Sequence, residues 1–159
     1  MINTNIKEKL DVIETIAKKY NETIYSGVTI KEINFFKHWW LQNCNQLTIP
    51  NGYLGIVYII DGFDFDGLSF YSINYDKENN LYESNEIYWE NENLKEYLFI
   101  GEDSISWYCI SFNTEKYYIL DKPSGSVIDE FFQFDDLLMT AFEMHFMISR
   151  SLQMILNVQ

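Results

Sequence analysis

The sequence has few of the residues that build reactive or metal-binding sites, since it contains only two cysteines and two histidines. Cys44 and Cys109 lie in apolar stretches, where cysteine usually behaves as a small buried hydrophobe. His145 falls within an apolar helical pattern and is predicted to be a satisfied core histidine. Zinc needs clustered Cys and His ligands, and no glycine-rich phosphate loop is present. We therefore expect no enzyme, no metal and no cofactor.

Basic residues are also scarce. Eleven Lys and Arg stand against 24 Asp and Glu, which gives a formal net charge of −13. This field repels a phosphate backbone and argues against direct binding of nucleic acid. It would instead attract a basic protein and accelerate their encounter. Acidity that only keeps the protein soluble explains the same number, so charge alone leaves both interpretations open.

Long hydrophobic runs and linkers are absent as well. No run approaches the length of a membrane span, and residues 1–20 lack the apolar core of a signal peptide. We therefore expect a cytoplasmic protein with reduced thiols and no membrane contact. No Gly/Pro-rich linker or internal repeat divides the 159 residues, so we predict a single domain over residues 1–159.

Aromatic residues are abundant, at 18% of the chain, and exceed what one small core readily hides. Some of them should be exposed, where rigid aromatics often anchor protein interfaces. Phe35 and Trp39 lie four residues apart, on the side of a predicted helix opposite its apolar face. Either another element covers this pair, or the pair is available to a partner.

Helical spacing of apolar residues predicts a helix from Ile6 to Tyr20 and a second one after Thr29. A third helix should begin at Pro50, use the run from residue 53 to 60, and end at Gly62. A long C-terminal helix should begin after Asp135, its predicted N-cap. Four of its residues lie off its main apolar face and predict a second contact, such as a homodimer: Met139, Phe146, Met147 and Met154.

The remaining regular pattern is β. A strand is predicted from Leu68 to Ile73, after an acidic turn. From Leu98 onward, four short apolar runs ("LFIG", "SWYCISF", "KYYIL" and "SVIDEFF") are separated by turn residues and predict an antiparallel meander. The predicted fold class is α+β, with N-terminal helices, an antiparallel β meander and a long C-terminal helix.

The acidic turn contains Asp61, Asp64 and Asp66. A calcium loop of the EF-hand type fails here: with Asp64 and Asp66 at its third and fifth positions, Gly62 and Ile73 occupy places that need carboxylates. Hydrolysis by paired carboxylates requires two acids that face a substrate across a cleft, which one turn does not supply. A small hydrolase or ligand-binding domain that uses this turn is kept as the weakest alternative.

A second acidic group lies in the polar middle of the chain. Glu83, Glu86 and Glu90 are spaced so that a short helix would place all three on one face. Such a face is either merely solvated or a contact surface for a basic partner.

The stretch "IPNGYLGIVYIIDGFDFDGLSFY" resembles the signature of the SUKH superfamily, in which a helix that follows a Pro leads through an N/D-G pair into the first strand. The residues that match are Pro50, Tyr53, Leu54, Asp61, Gly62, Gly67 and Leu68. The later strands, turn and closing helix also resemble this family. The whole is most similar to the bacterial YrhA-like branch and covers residues 30–145.

This resemblance implies a cytosolic immunity protein that binds a cognate bacterial toxin domain, such as a basic nuclease, and inhibits it by occlusion. The alternative is a general protein-interaction or scaffold module. The surface predicted to bind the partner comprises Asp61, Asp64, Asp66, Glu83, Glu86, Glu90, Glu102, Asp103, Trp39 and Trp89. The aspartates of the acidic turn are expected to face solvent.

Overall fold

The computed structural model describes residues 4–21, 24–44 and 47–157. Their α-helices are α1 (Thr4–Tyr20), α2 (Ile30–Asn43), α3 (Asn51–Val57), α4 (Leu81–Tyr88) and α5 (Phe134–Asn157). Their strands are β1 (Ile24–Ser26), β2 (Ile60–Phe65), β3 (Leu68–Phe70), β4 (Tyr97–Glu102), β5 (Ser106–Ser111), β6 (Tyr117–Asp121) and β7 (Val127–Phe131). The strands form one antiparallel sheet in chain order. The predicted α+β class, meander and C-terminal helix are confirmed.

The first two helices follow the sequence pattern closely. The residues of α1 that are buried recur every three or four positions: Ile6, Leu10, Ile13 and Ala17. Helix α2 begins with a capping box, in which the Glu32 N–H donates to the Thr29 hydroxyl and the Thr29 N–H donates to the Glu32 carboxylate. This arrangement satisfies two backbone donors that a helix start otherwise leaves without partners.

The third helix is shorter than predicted. It ends at Val57, and the chain enters β2 at Ile60, so the prediction that Gly62 terminates a helix is wrong. Gly62 lies inside β2 with φ of +85°, and a Cβ there would come within 2.8 Å of the Ser72 nitrogen. The glycine is therefore needed because the backbone of residue 72 crosses close to the strand.

A tight hairpin joins β2 to β3. Asp66 and Gly67 are its two central residues and have φ of +49° and +79°, as a type I′ turn requires. Phe63 pairs with Phe70 across this hairpin. Strand β2 was not predicted, although the Asp-Gly pair between two apolar runs is a sequence signal for a hairpin.

Helices cover both faces of the sheet. Phe142 of α5 lies 6.0 Å from Phe63 and 6.3 Å from Phe70, measured between ring centroids, on the face that also holds Tyr108. Trp107, the residue before Tyr108 in β5, points to the opposite face, where Tyr88 of α4 lies 5.6 Å away. The polar middle segment therefore carries α4 across the second face of the sheet.

Helix α5 begins at Phe134, so Asp135 lies in its first turn and is not its N-cap. Leu138, Ala141 and Phe142 are buried, as its apolar periodicity predicted. The side chains of Phe146, Met147 and Met154 lie outside the described part, and the predicted homodimer through α5 stays a prediction.

Helix α4 also closes the open edge of β4. Strand β3 pairs with β4 only at Gly101 and Glu102, and it leaves the first half of that edge without a strand. The buried Asn85 side chain fills the gap, because its Oδ1 accepts the Phe99 N–H at 2.7 Å and its Nδ2 donates to the Phe99 carbonyl at 2.8 Å. The Trp89 indole N–H donates to the Tyr97 carbonyl at 2.8 Å.

Replacing Asn85 with Ala should lower the free energy of unfolding by about 2–4 kcal/mol, because it leaves a buried N–H and a buried C=O without partners. Urea unfolding at constant m-value measures this loss. The matched control is Glu86→Ala, an exposed site one residue further along the helix, which should change stability by less than about 0.5 kcal/mol. Equal effects of the two substitutions would contradict the role of Asn85.

Candidate functional site: the acidic surfaces

The structure separates the ten predicted contact residues into three places. Asp61 lies in the core at the start of β2. Four acids gather at one end of the sheet, around the β2–β3 and β4–β5 turns: Asp64, Asp66, Glu102 and Asp103. The other five lie along α2 and α4: Trp39, Glu83, Glu86, Trp89 and Glu90. The ten residues therefore do not form one continuous surface.

The prediction that Asp61 faces solvent is wrong, because the segment that leads to α4 covers this residue. The residue is 2% exposed. Its Oδ1 accepts the Ile73 N–H at 2.8 Å, and its Oδ2 accepts the Ser72 hydroxyl at 2.7 Å. Burial raises the pKa of Asp61, and the hydrogen bonds from Ser72 and Ile73 offset this only in part. Asp61 is thus a structural acceptor and is not available to a partner.

Asp61→Ala should destabilise the protein by about 1–3 kcal/mol, because the Ile73 N–H and the Ser72 hydroxyl lose their buried acceptor. Asp76→Ala is the matched control, since Asp76 is exposed and lies in the same connecting segment. Thermal or urea unfolding of both variants measures the difference. A loss for Asp61→Ala no larger than that of the control would refute the assignment.

Asp103 is also buried, at 6% exposure, so the prediction that it forms part of the surface is wrong. Its Oδ1 accepts the N–H groups of Ile105 and Ser106, and its Oδ2 accepts the Tyr108 hydroxyl at 2.6 Å. The His145 Nε2 lies 3.2 Å from the same Oδ2. Burial acts to raise the pKa of Asp103, but the hydrogen bonds of these four residues outweigh it and lower the pKa.

His145 joins the two turns at this end of the sheet. Its Nδ1 lies 3.1 Å from the Asp66 carbonyl oxygen, while its Nε2 contacts Asp103. The prediction of a satisfied histidine is confirmed, since both ring nitrogens have partners. The function of this contact is to hold the β2–β3 and β4–β5 turns against α5.

The three remaining acids at this end, Asp64, Asp66 and Glu102, are half-buried, and the carboxylates of Asp64 and Glu102 have internal partners. Asp64 accepts hydrogen bonds from the Ser69 hydroxyl and the Asn79 amide. Glu102 accepts the Tyr88 hydroxyl at 2.8 Å and forms an ion pair with Lys122 at 2.7 Å. These carboxylates fasten neighbouring strands and loops, so this end of the sheet has less free negative charge than its sequence indicates.

Of the ten predicted contact residues, the acids that remain without an internal partner in the described part of the chain lie in and just after α4. Its N-cap Asn80 accepts the Glu83 N–H and donates to the Glu83 carboxylate. Within the described residues, the exposed side chains of Glu86 and Glu90 make no hydrogen bond or ion pair. Ile87 is 64% exposed between them. Helical geometry places Glu83, Glu86 and Ile87 on one side of α4, and Glu90 lies in the turn that follows the helix.

Trp39 and Trp89 lie side by side where α2 meets α4. Their rings are nearly parallel, at an interplanar angle of 4° and a centroid separation of 6.0 Å, and both residues are half-buried. Tyr82 of α4 lies 5.0 Å from Trp39 and 5.2 Å from Phe35. Of the two interpretations of Phe35 and Trp39, coverage by another element is thus correct in part, since Phe35 remains 50% exposed.

Three exposed residues of this region were not among the ten predicted contacts, although Phe35 belonged to the pair that a partner could use. Ile87, Phe35 and Tyr75 are 64%, 50% and 50% exposed. The signal for Ile87 was available in the sequence, as an isolated aliphatic residue among acidic and amide side chains. No comparable signal marks Tyr75, because the sequence does not show that its ring lies 6.3 Å from Phe35.

Comparison with protein-family models gives no match for this sequence, and comparison with curated proteins gives none either. The resemblance to the SUKH superfamily therefore stays a prediction from its motifs. In the part of the chain that the structure describes, no three His, Cys, Asp or Glu side chains form a group that could hold a metal ion. None of the described helices is both long and apolar enough to cross a membrane.

The two buried aspartates should titrate in opposite directions. By NMR of the side-chain carboxyl carbons, Asp61 should titrate above the ordinary value of 3.8 and Asp103 below it. The stability that depends on Asp61 is fully present below its unfolded pKa and is lost as pH rises through its folded pKa. That of Asp103 is present above its unfolded pKa and is lost as pH falls through its folded pKa.

Asp61→Asn and Asp103→Asn test these signs by equilibrium unfolding. The stability of the wild type relative to Asp61→Asn should increase as pH falls from neutral toward 3.8. Relative to Asp103→Asn, it should decrease over the acidic range below 3.8. If the stability difference from the wild type changed with pH in the same direction for both variants, the opposite pKa shifts of Asp61 and Asp103 would be refuted.

Proposed function

We propose that this protein neutralises a bacterial toxin domain by binding it and occluding its active surface, without catalysis of its own. The observation that carries the proposal is the exposed face of α4, where Glu86 and Glu90 have no internal partner and Ile87 is 64% exposed. A surface that combines unneutralised charge with an exposed aliphatic side chain suits association with a basic protein.

The attachment of α4 supports this proposal. Asn80 caps its N-terminus, and Asn85 and Trp89 fasten it to β4. Side chains on a helix held at three points need little further ordering when a partner arrives, so less binding free energy is lost to entropy. Such rigidity favours an inhibitor that must bind tightly and cover a fixed cleft.

Charge and motif indicate the class of partner. A net charge of −13 accelerates association with a basic domain. Nuclease toxins need basic clefts to hold a phosphate backbone, and the resemblance to YrhA-like SUKH proteins implies immunity to such a toxin. Occlusion in the cytoplasm would prevent substrate from entering the cleft. The general interaction module is the second candidate, but no feature of the described surface favours it over an immunity protein.

Co-expression tests the proposal. The protein should restore growth of a host that carries the toxin domain encoded beside its gene, and the two should purify as a stable complex. Denaturing that complex should return toxin of unchanged mass and activity, because inhibition by occlusion leaves no covalent mark. Toxin recovered in a modified or cleaved form would replace occlusion with enzymatic inactivation.

The affinity of the complex should also fall as salt rises, since screening weakens the attraction between an acidic inhibitor and a basic cleft. Calorimetric titration at low and high ionic strength measures this dependence. An affinity that does not change with ionic strength would remove the electrostatic basis of the proposal.

A further inference from the structure

We infer that the partner docks on the junction of α2 and α4, and that it does so through arginine side chains. This inference rests on the proposed function and specifies its surface. The docking surface, called here the α2–α4 surface, comprises Phe35, Trp39, Tyr75, Glu86, Ile87, Trp89 and Glu90. Its occupant is a protein with an arginine-rich face. The geometry of the aromatic rings, the charge around them and the lower suitability of the other surfaces support this choice.

The aromatic geometry leaves ring surface uncovered. Parallel rings in contact are separated by about 3.5–4 Å, whereas the centroids of Trp39 and Trp89 lie 6.0 Å apart at an angle of 4°. At this separation neither ring closely covers the other, and although Tyr82 contacts Trp39 and Phe112 contacts Trp89, both tryptophans remain only half-buried. The Trp89 indole N–H is engaged by the Tyr97 carbonyl, which fixes the orientation of this ring.

The charge around these rings is complementary to a cation. Residues 74–97 contain seven acidic and two basic residues, and one of those bases, Lys95, is paired with Glu92 at 2.6 Å. Glu86 is four residues after Tyr82 and three before Trp89, so it lies on the same side of α4 as the aromatic contacts. A cation above the tryptophans could therefore also interact with the carboxylates of Glu86 and Glu90.

Arginine fits this arrangement better than lysine. Its planar guanidinium can stack on an indole face while its N–H groups reach a carboxylate in the plane. Lysine presents a compact, strongly hydrated charge that cannot do both equally well. Phe35 adds exposed apolar area 5.2 Å from the Tyr82 ring, and Ile87 adds it next in sequence to Glu86; the methylene stem of an arginine can pack against such area.

The competing surfaces are less suitable. At the turn end of the sheet, Glu102 is paired with Lys122, and Asp103 is buried. Strand β7 exposes Val127 and Ile128, but the Glu130 N–H is taken by the Asp129 carboxylate, which disfavours the addition of another strand at that edge. Free carboxylates and exposed rings coincide at the α2–α4 surface.

The first test uses hexaarginine amide and hexalysine amide as probes and follows the backbone and indole signals of the protein by NMR. Hexaarginine should bind more tightly than hexalysine and shift the signals of Trp39, Trp89 and Ile87 most. Trp39→Leu should remove the preference for arginine while the rest of the spectrum stays dispersed. Shifts centred on residues 64–67 and 102–105, or spread evenly over acidic sites, would overturn the inference.

Two double variants with the same net charge distinguish direct contact with Glu86 and Glu90 from attraction by the overall negative charge of the protein. Glu86→Gln with Glu90→Gln should weaken hexaarginine binding by about tenfold, since each lost carboxylate contact corresponds to a factor of about three. Glu8→Gln with Asp11→Asn removes the same charge from an exposed face of α1 and should weaken it by less than about twofold. Equal losses would mean that only net charge attracts the peptide.

The same variants, titrated with a catalytically inactive form of the neighbouring toxin domain, distinguish the two levels of the proposal. Loss of toxin affinity in the Glu86/Glu90 variant but not in the α1 variant supports both. Full affinity in both variants refutes the α2–α4 surface and leaves the immunity function standing. If the unmodified protein does not bind the toxin, the proposed function fails, and the peptide titrations still decide whether the surface selects arginine.

Discussion

The short length of β3 is the constraint on which the rest of the structure depends. Three residues cannot pair with all of β4, and the backbone groups left over at Phe99 and Tyr97 need other partners. A helix that offers Asn85 and Trp89 one turn apart supplies them. Once α4 is fixed there, the flank that carries Glu86 and Glu90 stays exposed.

The acidic composition consequently has two different uses within one chain. Asp61 and Asp103 are buried acceptors that hold the connection before α4 and the β4–β5 turn. Their charge contributes little to any surface. Glu86 and Glu90 have the same formal charge but no internal partner in the described part. The formal total of −13 therefore overstates how evenly the molecule could attract a cation.

Element type was predictable where apolar periodicity was long, as in α1 and the strands after Leu98. The run from residue 53 to 60 was mistaken for one helix because its first part is buried on α3 and its last residue on β2, and a continuous apolar run fits both. The burial of individual side chains was harder to predict from the sequence. Asp61 and Asp64 are both acids three residues apart, and only the crossing of residues 72 and 73 over the strand decides that Asp61 is enclosed.

The fate of the aromatic residues follows from the same geometry. An aromatic share of 18% exceeds what the sheet and helices enclose. Tyr20, Tyr58 and Phe132 are exposed elsewhere, and Phe35 and Tyr75 are exposed where α2 approaches α4. The tryptophans meet there in parallel, and tertiary contacts fix their rings beside Glu86. Neither α2 nor α4 alone contains this combination of fixed rings and free carboxylates, and only the fold brings its parts together.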